Sequence, residues 1–420
     1  MNKRTVKLVS VAFVAASLAL AGCGSRGEAT TTAAPGATTG GTTAAGAKVA
    51  KIGFIAPLSG GLSALGLGMR NSAQLAVDLA NKSNAIPGWT LEFVPLDDEA
   101  KPDVGANAAT SLAGDDAVMG VVGTLNSGVA QSVIPILDAA HIVQISPANT
   151  NPTLTQGADP ANPTRPNANY FRTATTDSIQ GPVAAKYLLD AGMKKVAVVH
   201  NKGTYGQGLA EAFATAFADG GGEVVARESF TPDTQDLSTV VTTIKAAGPE
   251  AVFFGGEYAE SKETGGGARL SNQMKANGLN VPLMGGDGIF DPEFINLAGS
   301  TSNGDLATSV GAPPTDLPSA AAFLSEYEKA GFKEPYAAYG AMTFDATNAI
   351  IEGLKVSLAS ATDAKSARQA TVDAVGKVDF EGASGQVKFD EFGDTVTRVI
   401  TVYEVAEGKW ATKQVINYEG

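Results

Sequence analysis

From residue 49 onward, short apolar runs alternate with longer stretches that have helical periodicity. The runs are continuous, as expected for strands buried on both faces, and they comprise Lys51–Ala56, Leu91–Leu96, Val118–Gly123, Ile142–Ser146, Lys195–His200, Glu223–Glu228, Ala251–Gly255 and Val281–Gly285. The amphipathic stretches between them include Met69–Asn81, Gly128–Ala140, Ser178–Ala191, Gly208–Ala218 and Leu237–Ala247. Strand–helix alternation at this spacing predicts parallel α/β sheets with helices on both faces.

The alternation forms two series, which predicts two Rossmann-like lobes with parallel sheets. One series covers about residues 50–168, and the second follows the Pro/Asn-rich segment 161–169. Helical segments return at Ala320–Ala330 and Tyr339–Ser357, and a strand-rich tail follows at residues 385–417. We therefore expect the chain to cross between the lobes more than once.

The N-terminus has the features of a lipoprotein leader. A basic stretch precedes the apolar run Leu8–Leu20, which has the length of a signal-peptide core and is too short to span a bilayer comfortably. Two small residues then precede Cys23, as at sites cut by lipoprotein signal peptidase. We expect residues 1–22 to be removed and a lipid on Cys23 to anchor the protein to the cell membrane, outside the cytoplasm. The alternative is an ordinary signal peptide with an incidental cysteine.

The amino-acid composition limits which binding partners and which metal or disulfide sites the protein can have. Residues 23–48 are rich in Gly, Ala and Thr and lack apolar periodicity, which predicts a lipid-anchored flexible tether. Cys23 is the only cysteine in 420 residues, which excludes an intramolecular disulfide and a multi-cysteine metal site. The formal net charge of −13 makes nucleic acid an unexpected partner. No second apolar run is long enough to span a membrane.

The carboxyl ends of the predicted strands are where a parallel α/β sheet binds ligands. In the first series these ends offer hydroxyls beside helix N-termini, namely Ser127 and Thr150, and a helix N-terminus favours an anion. In the second series they offer aromatic and acidic side chains, namely Tyr205, Glu257, Tyr258 and Asp287. Together these groups could hold a zwitterion. Taken singly, Ser127 and Thr150 are better explained as helix caps, and the Gly-Gly pairs at the strand ends as turns. The convergence of six strand ends is what favours a binding site.

Enzyme signatures are absent from the sequence. It contains no phosphate-binding GKS or GKT loop and no G-x-S-x-G nucleophile elbow. His141 and His200 each flank a predicted strand, and we interpret both as structural. The acidic run Asp97-Asp98-Glu99 could hold a metal, but a solvated turn is favoured. We therefore predict a protein without catalytic residues, metal or cofactor.

Five stretches carry a resemblance to a known family. They read KIGFIAPLSGGLSALG (51–66), ISPANTNPTLTQ (145–156), YFRTATTDSIQGPVAAKYL (170–188), VAVVHNKGTYGQGLA (196–210) and VPLMGGDGIFDPEFINLAG (281–299). In these stretches, and in their order and spacing, the chain resembles the branched-chain amino-acid binding proteins of ABC importers. The resemblance covers residues 50 to about 415.

This resemblance implies the type I periplasmic binding protein fold, in which two α/β lobes joined by three crossover segments close on a ligand. We assign residues 49–170 and 306–390 to the first lobe and residues 171–305 and 391–420 to the second. The implied function is capture of an amino acid outside the cytoplasm and its delivery to the permease and ATPase subunits of an ABC importer. We expect a monomer that is not an enzyme.

The resemblance also implies roles for individual residues. Ser127 corresponds to the hydroxyl that receives the ligand carboxylate, and Ala148 to the residue whose carbonyl accepts from the ligand ammonium. Thr150 corresponds to a hydroxyl that contributes to both. Tyr205 matches an aromatic residue of the second lobe that closes over the ligand. Asp287 stands where the family has an acidic partner for the ammonium, which is usually Glu.

Two positions depart from the family pattern, and both concern selection of the ligand side chain. Leu65 stands where relatives often carry an aromatic residue, and Glu257 stands where leucine-type binders have Tyr. A ligand more polar than leucine, or a cationic one, is therefore an alternative. Binders of urea or short-chain amides and ligand-sensing receptors share this fold and remain open, as does a lipid-anchored hydrolase.

Overall fold

The computed structural model describes residues 48–259 and 266–419. The predicted leader, Cys23 and the predicted tether lie outside these residues. Within the described residues, the chain forms two large sheets and one small one, with helices packed on the large sheets. No helix in this part of the chain is both long enough and apolar enough to cross a membrane.

The first sheet contains five parallel strands in the order β2-β1-β3-β4-β5. Its strands are β1 (Lys48–Ala56), β2 (Trp89–Asp97), β3 (Val118–Gly123), β4 (Val143–Ser146) and β5 (Tyr170–Arg172). The helices between them are α1 (Ser63–Lys82), α2 (Pro102–Ala113), α3 (Ser127–Ala139) and the short α4 (Thr153–Gln156). Every residue of β3 and β4 is buried, because helices cover both faces of this sheet.

The second sheet contains seven strands in the order β14-β13-β10-β9-β8-β6-β7. Its parallel strands are β6 (Lys195–His200), β7 (Glu223–Ser229), β8 (Ala251–Gly255), β9 (Leu283–Gly285) and β10 (Leu306–Val310). The helices of this part are α5 (Asp177–Asp190), α6 (Thr204–Asp219), α7 (Ser238–Ala246), α8 (Gly267–Ala276) and α9 (Pro292–Ala298). Phe213 of α6 stacks on Phe253 of β8 with ring centroids 3.7 Å apart, which seals this helix onto the sheet.

The last third of the chain contributes elements to both lobes. Its helices are α10 (Ala321–Ala330), α11 (Gly340–Ser357) and α12 (Arg368–Val375), and α11 packs on α1 and on the first sheet. An antiparallel pair follows, β11 (Asp379–Gly382) with β12 (Gly385–Lys388). The chain then adds β13 (Val399–Ala406) and β14 (Lys409–Asn417) antiparallel to the edge of the second sheet. It therefore passes between the sheets three times, after β5, after β10 and before β13.

The strands differ from the predicted lobe boundaries in two places. We predicted a return to the first lobe at residue 306, but β10 pairs with β9 and β13 in the second sheet, so the return begins after Val310. We placed the first crossover after residue 170, but β5 continues to Arg172 in the first sheet. A buried apolar strand has the same local pattern in either sheet, so only the pairing distinguishes them.

A buried ion pair connects the first and third crossovers. Arg172 is fully buried at the end of β5, and its Nε donates to Asp394 Oδ1 over 2.5 Å. Its Nη1 donates to the carbonyl oxygens of Asn151 (2.8 Å) and Asn149 (3.1 Å). The same guanidinium thus neutralises the buried carboxylate and holds the loop after β4, in which Thr150 lies.

Candidate functional site

The first lobe contributes two strand ends to the region between the lobes. Ser127 is buried at the first turn of α3, where the leading N–H groups of a helix have no partner within the helix. After β4, the Ser146 hydroxyl accepts from the N–H groups of Ala148 (3.2 Å) and Asn149 (2.8 Å) and so tightens the loop. Thr150 follows in this loop, is fully buried, and its Oγ1 has no hydrogen-bond partner among the described residues.

The second lobe contributes a buried carboxylate at the end of β9. Asp287 Oδ1 accepts hydrogen bonds from Gln180 Nε2 (2.9 Å) and from the Tyr205 hydroxyl (2.8 Å), and Oδ2 accepts from the Tyr339 hydroxyl (2.9 Å). Burial raises the pKa of Asp287, and these three donors oppose the shift. No Lys or Arg of the described residues forms an ion pair with this carboxylate.

A second buried carboxylate, Glu257, lies at the end of β8. Its Oε2 accepts from Asn201 Nδ2 (2.7 Å) of the same lobe. Its Oε1 accepts from Nδ2 of Asn126 over 2.8 Å, and Asn126 is the first-lobe residue that immediately precedes α3. Burial raises the pKa of Glu257, and the negative charge of Asp287 adds to the shift. Glu257 therefore belongs to the same electrostatic environment as Asp287 and links the two lobes directly.

Three further residues of this region, Asp177, Gln180 and Tyr339, were not predicted from the sequence. Gln180 Nε2 donates to both Asp177 Oδ1 (3.1 Å) and Asp287 Oδ1 (2.9 Å), so one amide bridges two carboxylates. Asp177 also donates its backbone N–H to the carbonyl oxygen of Thr150 over 2.8 Å. Asp177 and Gln180 are three residues apart on one face of α5, and two polar groups on an otherwise apolar helix face were a usable signal.

Asp177 is a third buried acid of this region, and its pKa is also raised. Burial, reinforced by the charge of Asp287, raises its pKa to about 8. The Thr150 hydroxyl is close enough to lower that pKa somewhat, yet neither Asp177 Oδ2 nor Thr150 Oγ1 has a partner in hydrogen-bonding geometry. Two adjacent polar atoms are thus buried without a partner, which is costly unless a ligand supplies the missing hydrogen bonds.

The lobes contact each other around these groups. The Tyr258 hydroxyl of the second lobe donates to the carbonyl oxygen of Gly61 in the loop after β1 (2.9 Å). Asn151 Nδ2 donates to the carbonyl oxygen of Thr204 (2.8 Å), at the start of α6. Direct bonds of this kind, together with the bond from Asn126 to Glu257, fit a closed arrangement of the two lobes.

Close approach of the strand ends requires glycine at the Gly206–Gly255 contact in the second lobe. A Cβ on Gly206 would overlap the carbonyl oxygen of Gly255 and the Asn201 amide. A Cβ on Gly255 would in turn overlap the carbonyl oxygen of Gly206. The two glycines therefore let the start of α6 lie against the end of β8, which brings Tyr205 toward Asp287.

Two further predicted residues have apolar surroundings. Leu65 of α1 is fully buried, and Ala148 is nearly so. Both belong to the same apolar cluster as Leu125, Tyr258 and Tyr339, which are near the strand ends. All seven residues predicted to bind the ligand are thus buried, and the structure leaves their individual roles as proposals.

The acidic run after β2 is not the solvated turn that we predicted. Asp98 is fully buried, and burial raises its pKa to about 7. Asp97 Oδ1 accepts from the backbone N–H groups of Leu58 (2.9 Å) and Glu99 (2.8 Å), which closes the loop after β1 onto β2. Across residues 48–259 and 266–419, no cluster of His, Cys, Asp and Glu is arranged to hold a metal ion.

A cavity of about 690 Å³ lies on the flank between the lobes, beside the crossover that follows β10. Its walls include Phe290, Pro313, Tyr336 and Trp410. Asp291 also lines it and caps the start of α9 by accepting from the N–H of Glu293 over 2.8 Å. None of the seven residues predicted to bind the ligand lines this cavity, so it is separate from the strand-end region.

Known proteins with similar sequences agree with this architecture. A Leu/Ile/Val-binding protein homologue from Brucella melitensis is 33% identical over 359 residues, which cover 85% of this chain and 92% of the relative. A leucine-specific-binding protein from Salmonella typhimurium is 31% identical, covering 82% of this chain and 87% of the relative.

Solved structures agree as well. A leucine-binding protein from Thermotoga maritima superimposes with a TM-score of 0.77 at 28% identity, covering 88% of this chain and 99% of that one. A branched-chain amino acid transporter substrate-binding protein from Streptococcus pneumoniae, in complex with isoleucine, gives a TM-score of 0.75 at 28% identity, covering 88% and 100%. The sequence pattern of the family described as periplasmic binding protein matches residues 49–409. The chain therefore belongs to the periplasmic binding protein family and is a two-lobed solute-binding protein.

Proposed function

We propose that this protein is the extracytoplasmic solute-binding component of an ABC importer and captures an α-amino acid between its two lobes. The observation that carries the proposal is that buried polar groups without a full set of partners lie where the two lobes meet. The Asp287 carboxylate is buried without an ion-pair partner among the described residues, and the Thr150 hydroxyl is buried without any hydrogen-bond partner there. The start of α3 at Ser127 has the partial positive charge of a helix N-terminus, opposite in sign to the Asp287 carboxylate.

A zwitterion matches this arrangement chemically. Its carboxylate would bind the Ser127 hydroxyl and the free N–H groups at the start of α3, where the helix dipole favours an anion. Its ammonium would donate to the Ala148 carbonyl oxygen, to Thr150 Oγ1 and to the Asp287 carboxylate. Such charge-assisted hydrogen bonds are strong where water is excluded. Tyr205 orients Asp287 from the second lobe, so lobe closure would complete the ammonium site.

The similar proteins support this proposal through what they bind. The two relatives described above are named for leucine, isoleucine and valine, and the Streptococcus pneumoniae structure holds isoleucine. Each is more than a quarter identical to this chain over most of its length. The Streptococcus pneumoniae protein is described as a transporter substrate-binding protein, which supports delivery of the amino acid to an ABC permease with its ATPase subunits. We further propose that the protein is a monomer held at the membrane by a lipid on Cys23.

We also propose that the protein is not an enzyme. A hydrolase would need a base beside its nucleophile, and Ser127 is the candidate nucleophile at the site. Ser127 begins α3 whereas His141 follows its end, so the helix rise separates them by roughly 20 Å. His200 Nδ1 already accepts from the backbone N–H of Lys202 over 3.1 Å. Ester or peptide turnover that disappears in Ser127→Ala would contradict this part of the proposal.

Calorimetry on the purified mature domain tests the proposal directly. The twenty amino acids, urea and short-chain amides are titrated, and the best amino acid is compared with the amine that lacks its carboxylate. We expect an amino acid to bind, and its amine to bind at least a hundredfold more weakly because the N-terminus of α3 loses its anion. Ser127→Ala should weaken amino-acid binding roughly tenfold. Ser132→Ala on the same helix is the matched control.

Two results would overturn the proposal. Binding of urea or an amide with no amino-acid binding would assign the site to a ligand without the α-carboxylate and α-ammonium. Equal affinity for an amino acid and its amine would show that the start of α3 does not receive a carboxylate.

A further inference from the structure

We propose that Glu257, with the side chains of Asn126 and Asn201, forms a second subsite that selects an amino acid whose side chain ends in a cation. This inference rests on the proposed function, because it assumes that the α-ammonium and α-carboxylate bind at Asp287 and Ser127. It adds the class of ligand, a basic amino acid, and the residue that determines it.

The first argument is the count of charges. Glu257 and Asp287 are both at least 90% buried, and the described part of the chain provides no Lys or Arg in an ion pair with either of them. A neutral amino acid is a zwitterion and brings no net charge, so it would leave the acidic excess of this region unchanged. A basic amino acid brings one net positive charge. Buried charges are retained where they are paired, which favours the basic ligand.

The second argument concerns free hydrogen-bond acceptors. Asn126, which donates to Glu257 through Nδ2, has a buried Oδ1 with no partner among the described residues. Among the described residues, each oxygen of Glu257 accepts one side-chain amide donor, whereas a carboxylate offers about four acceptor positions in total. An alkylammonium has three donors and no acceptor, and a guanidinium has five donors. A leucine side chain has none and would leave these acceptors unsatisfied.

The third argument is the position of Glu257 between the lobes. Its Oε1 is bound by Asn126 of the first lobe, and Asn126 directly precedes Ser127, the proposed carboxylate group. The charges of Glu257 and Asp287 both raise the pKa of Tyr339, which donates its hydroxyl to Asp287 over 2.9 Å. A ligand with its α-carboxylate at Ser127 and its α-ammonium at Asp287 would therefore have Glu257 as the acidic group next to its carboxylate end, joined to it through Asn126.

A pair of matched ligands tests the subsite without any mutation. Norleucine is lysine without the ε-ammonium, so the two differ in charge and in donors but little in the rest of the chain. Calorimetry is performed on the mature protein with lysine, norleucine, ornithine, arginine and leucine. We expect the best basic ligand to bind at least a hundredfold more tightly than norleucine, since a site built around a polar group rejects the analogue that lacks it.

Substitution of Glu257 then identifies the residue responsible. Glu257→Gln keeps both amide contacts sterically possible and removes the charge. We expect it to weaken basic-ligand binding by at least tenfold and to leave norleucine binding unchanged or tighter. Glu328→Gln, on the exposed face of α10, is the control and should change neither affinity. Melting temperatures of the unliganded variants report whether each is folded.

The outcomes separate this inference from the proposed function. If leucine or norleucine binds as tightly as every basic ligand, or if Glu257→Gln retains the preference, the subsite is wrong and amino-acid capture stands. If no amino acid binds to the parent protein, the proposed function fails and the subsite fails with it.

Discussion

Replacement of Asp287 by Asn is the most direct test of how this site would hold an ammonium. The substitution preserves shape and lets Oδ1 keep accepting from Gln180, but it removes the negative charge of the carboxylate to which both Tyr205 and Tyr339 donate. The ligand ammonium would then be buried against the Ala148 carbonyl oxygen and the Thr150 hydroxyl without a countercharge. Breaking a buried charge pair costs about 3–5 kcal/mol. We therefore expect binding to weaken by at least roughly a hundredfold.

The same substitution should affect the unliganded protein in the opposite direction. Because burial raises the pKa of Asp287, the folded protein binds this proton more tightly than the unfolded chain does. The stability that this preference provides is present at low pH and is lost as the pH rises above the ordinary aspartate pKa of about 4. At pH 8, Asp287→Asn should therefore raise the free energy of unfolding while it weakens ligand binding.

Asp291→Asn is the matched control for this prediction. Asp291 is also a buried acid, only four residues away, and burial raises its pKa to about 6. It caps α9, a role that Asn performs equally well, and it lines the flank cavity instead of the strand-end region. Calorimetry and urea titration of both variants distinguish the two regions. Unchanged ligand affinity in Asp287→Asn, or a larger loss in Asp291→Asn, would refute the assignment.

Three further predictions concern the anchor, the crossovers and pH. Cys23→Ser should release the protein from membranes in a fractionation assay and leave ligand affinity in calorimetry unchanged; retention in the membrane fraction would contradict the lipid anchor. Arg172→Met should lower the free energy of unfolding in urea by about 3–5 kcal/mol, because it leaves a buried carboxylate uncompensated, whereas the exposed Arg227→Met should have little effect. The melting temperature of the unliganded protein should fall between pH 5 and pH 8.5, because Asp98 and Asp177, with pKa values of about 7 and 8, bind protons more tightly in the folded state. Asp98→Asn with Asp177→Asn should flatten that dependence, and an equally steep curve in the double variant would exclude these groups as its cause.

The sequence predicted the elements well where the local pattern is distinctive. The strands predicted at 118–123, 195–200 and 251–255 have those same bounds in the structure, because continuous apolar runs end abruptly at polar or glycine residues. Helix α1 begins six residues before the predicted start, within the Gly-rich stretch after β1. Glycine lowers helix propensity, and burial of α1 against the sheet overrides it.

The rule that ligands bind at the carboxyl ends of parallel strands is enough to group Ser127, Thr150, Tyr205, Glu257 and Asp287 from the sequence. Parallel strands end at one edge of a sheet, so residues that follow different strands are close in space whatever their separation in sequence. The rule makes no prediction about residues that reach the same region from helices. Tyr339 lies 52 residues from Asp287 and donates to it from the start of α11.

The sequence by itself determined that this chain forms two α/β lobes with polar groups collected at their strand ends, and it gave the family to which the chain belongs. Those properties follow from local periodicity and motif spacing. Only the tertiary structure decided that β10 belongs to the second lobe. It also decided that Gln180, which is 107 residues from Asp287 in the sequence, bridges Asp287 to Asp177. It also decided that Glu257 is bound across the lobes by Asn126. Strand pairing and buried charge depend on how distant segments pack, and no local pattern encodes that packing.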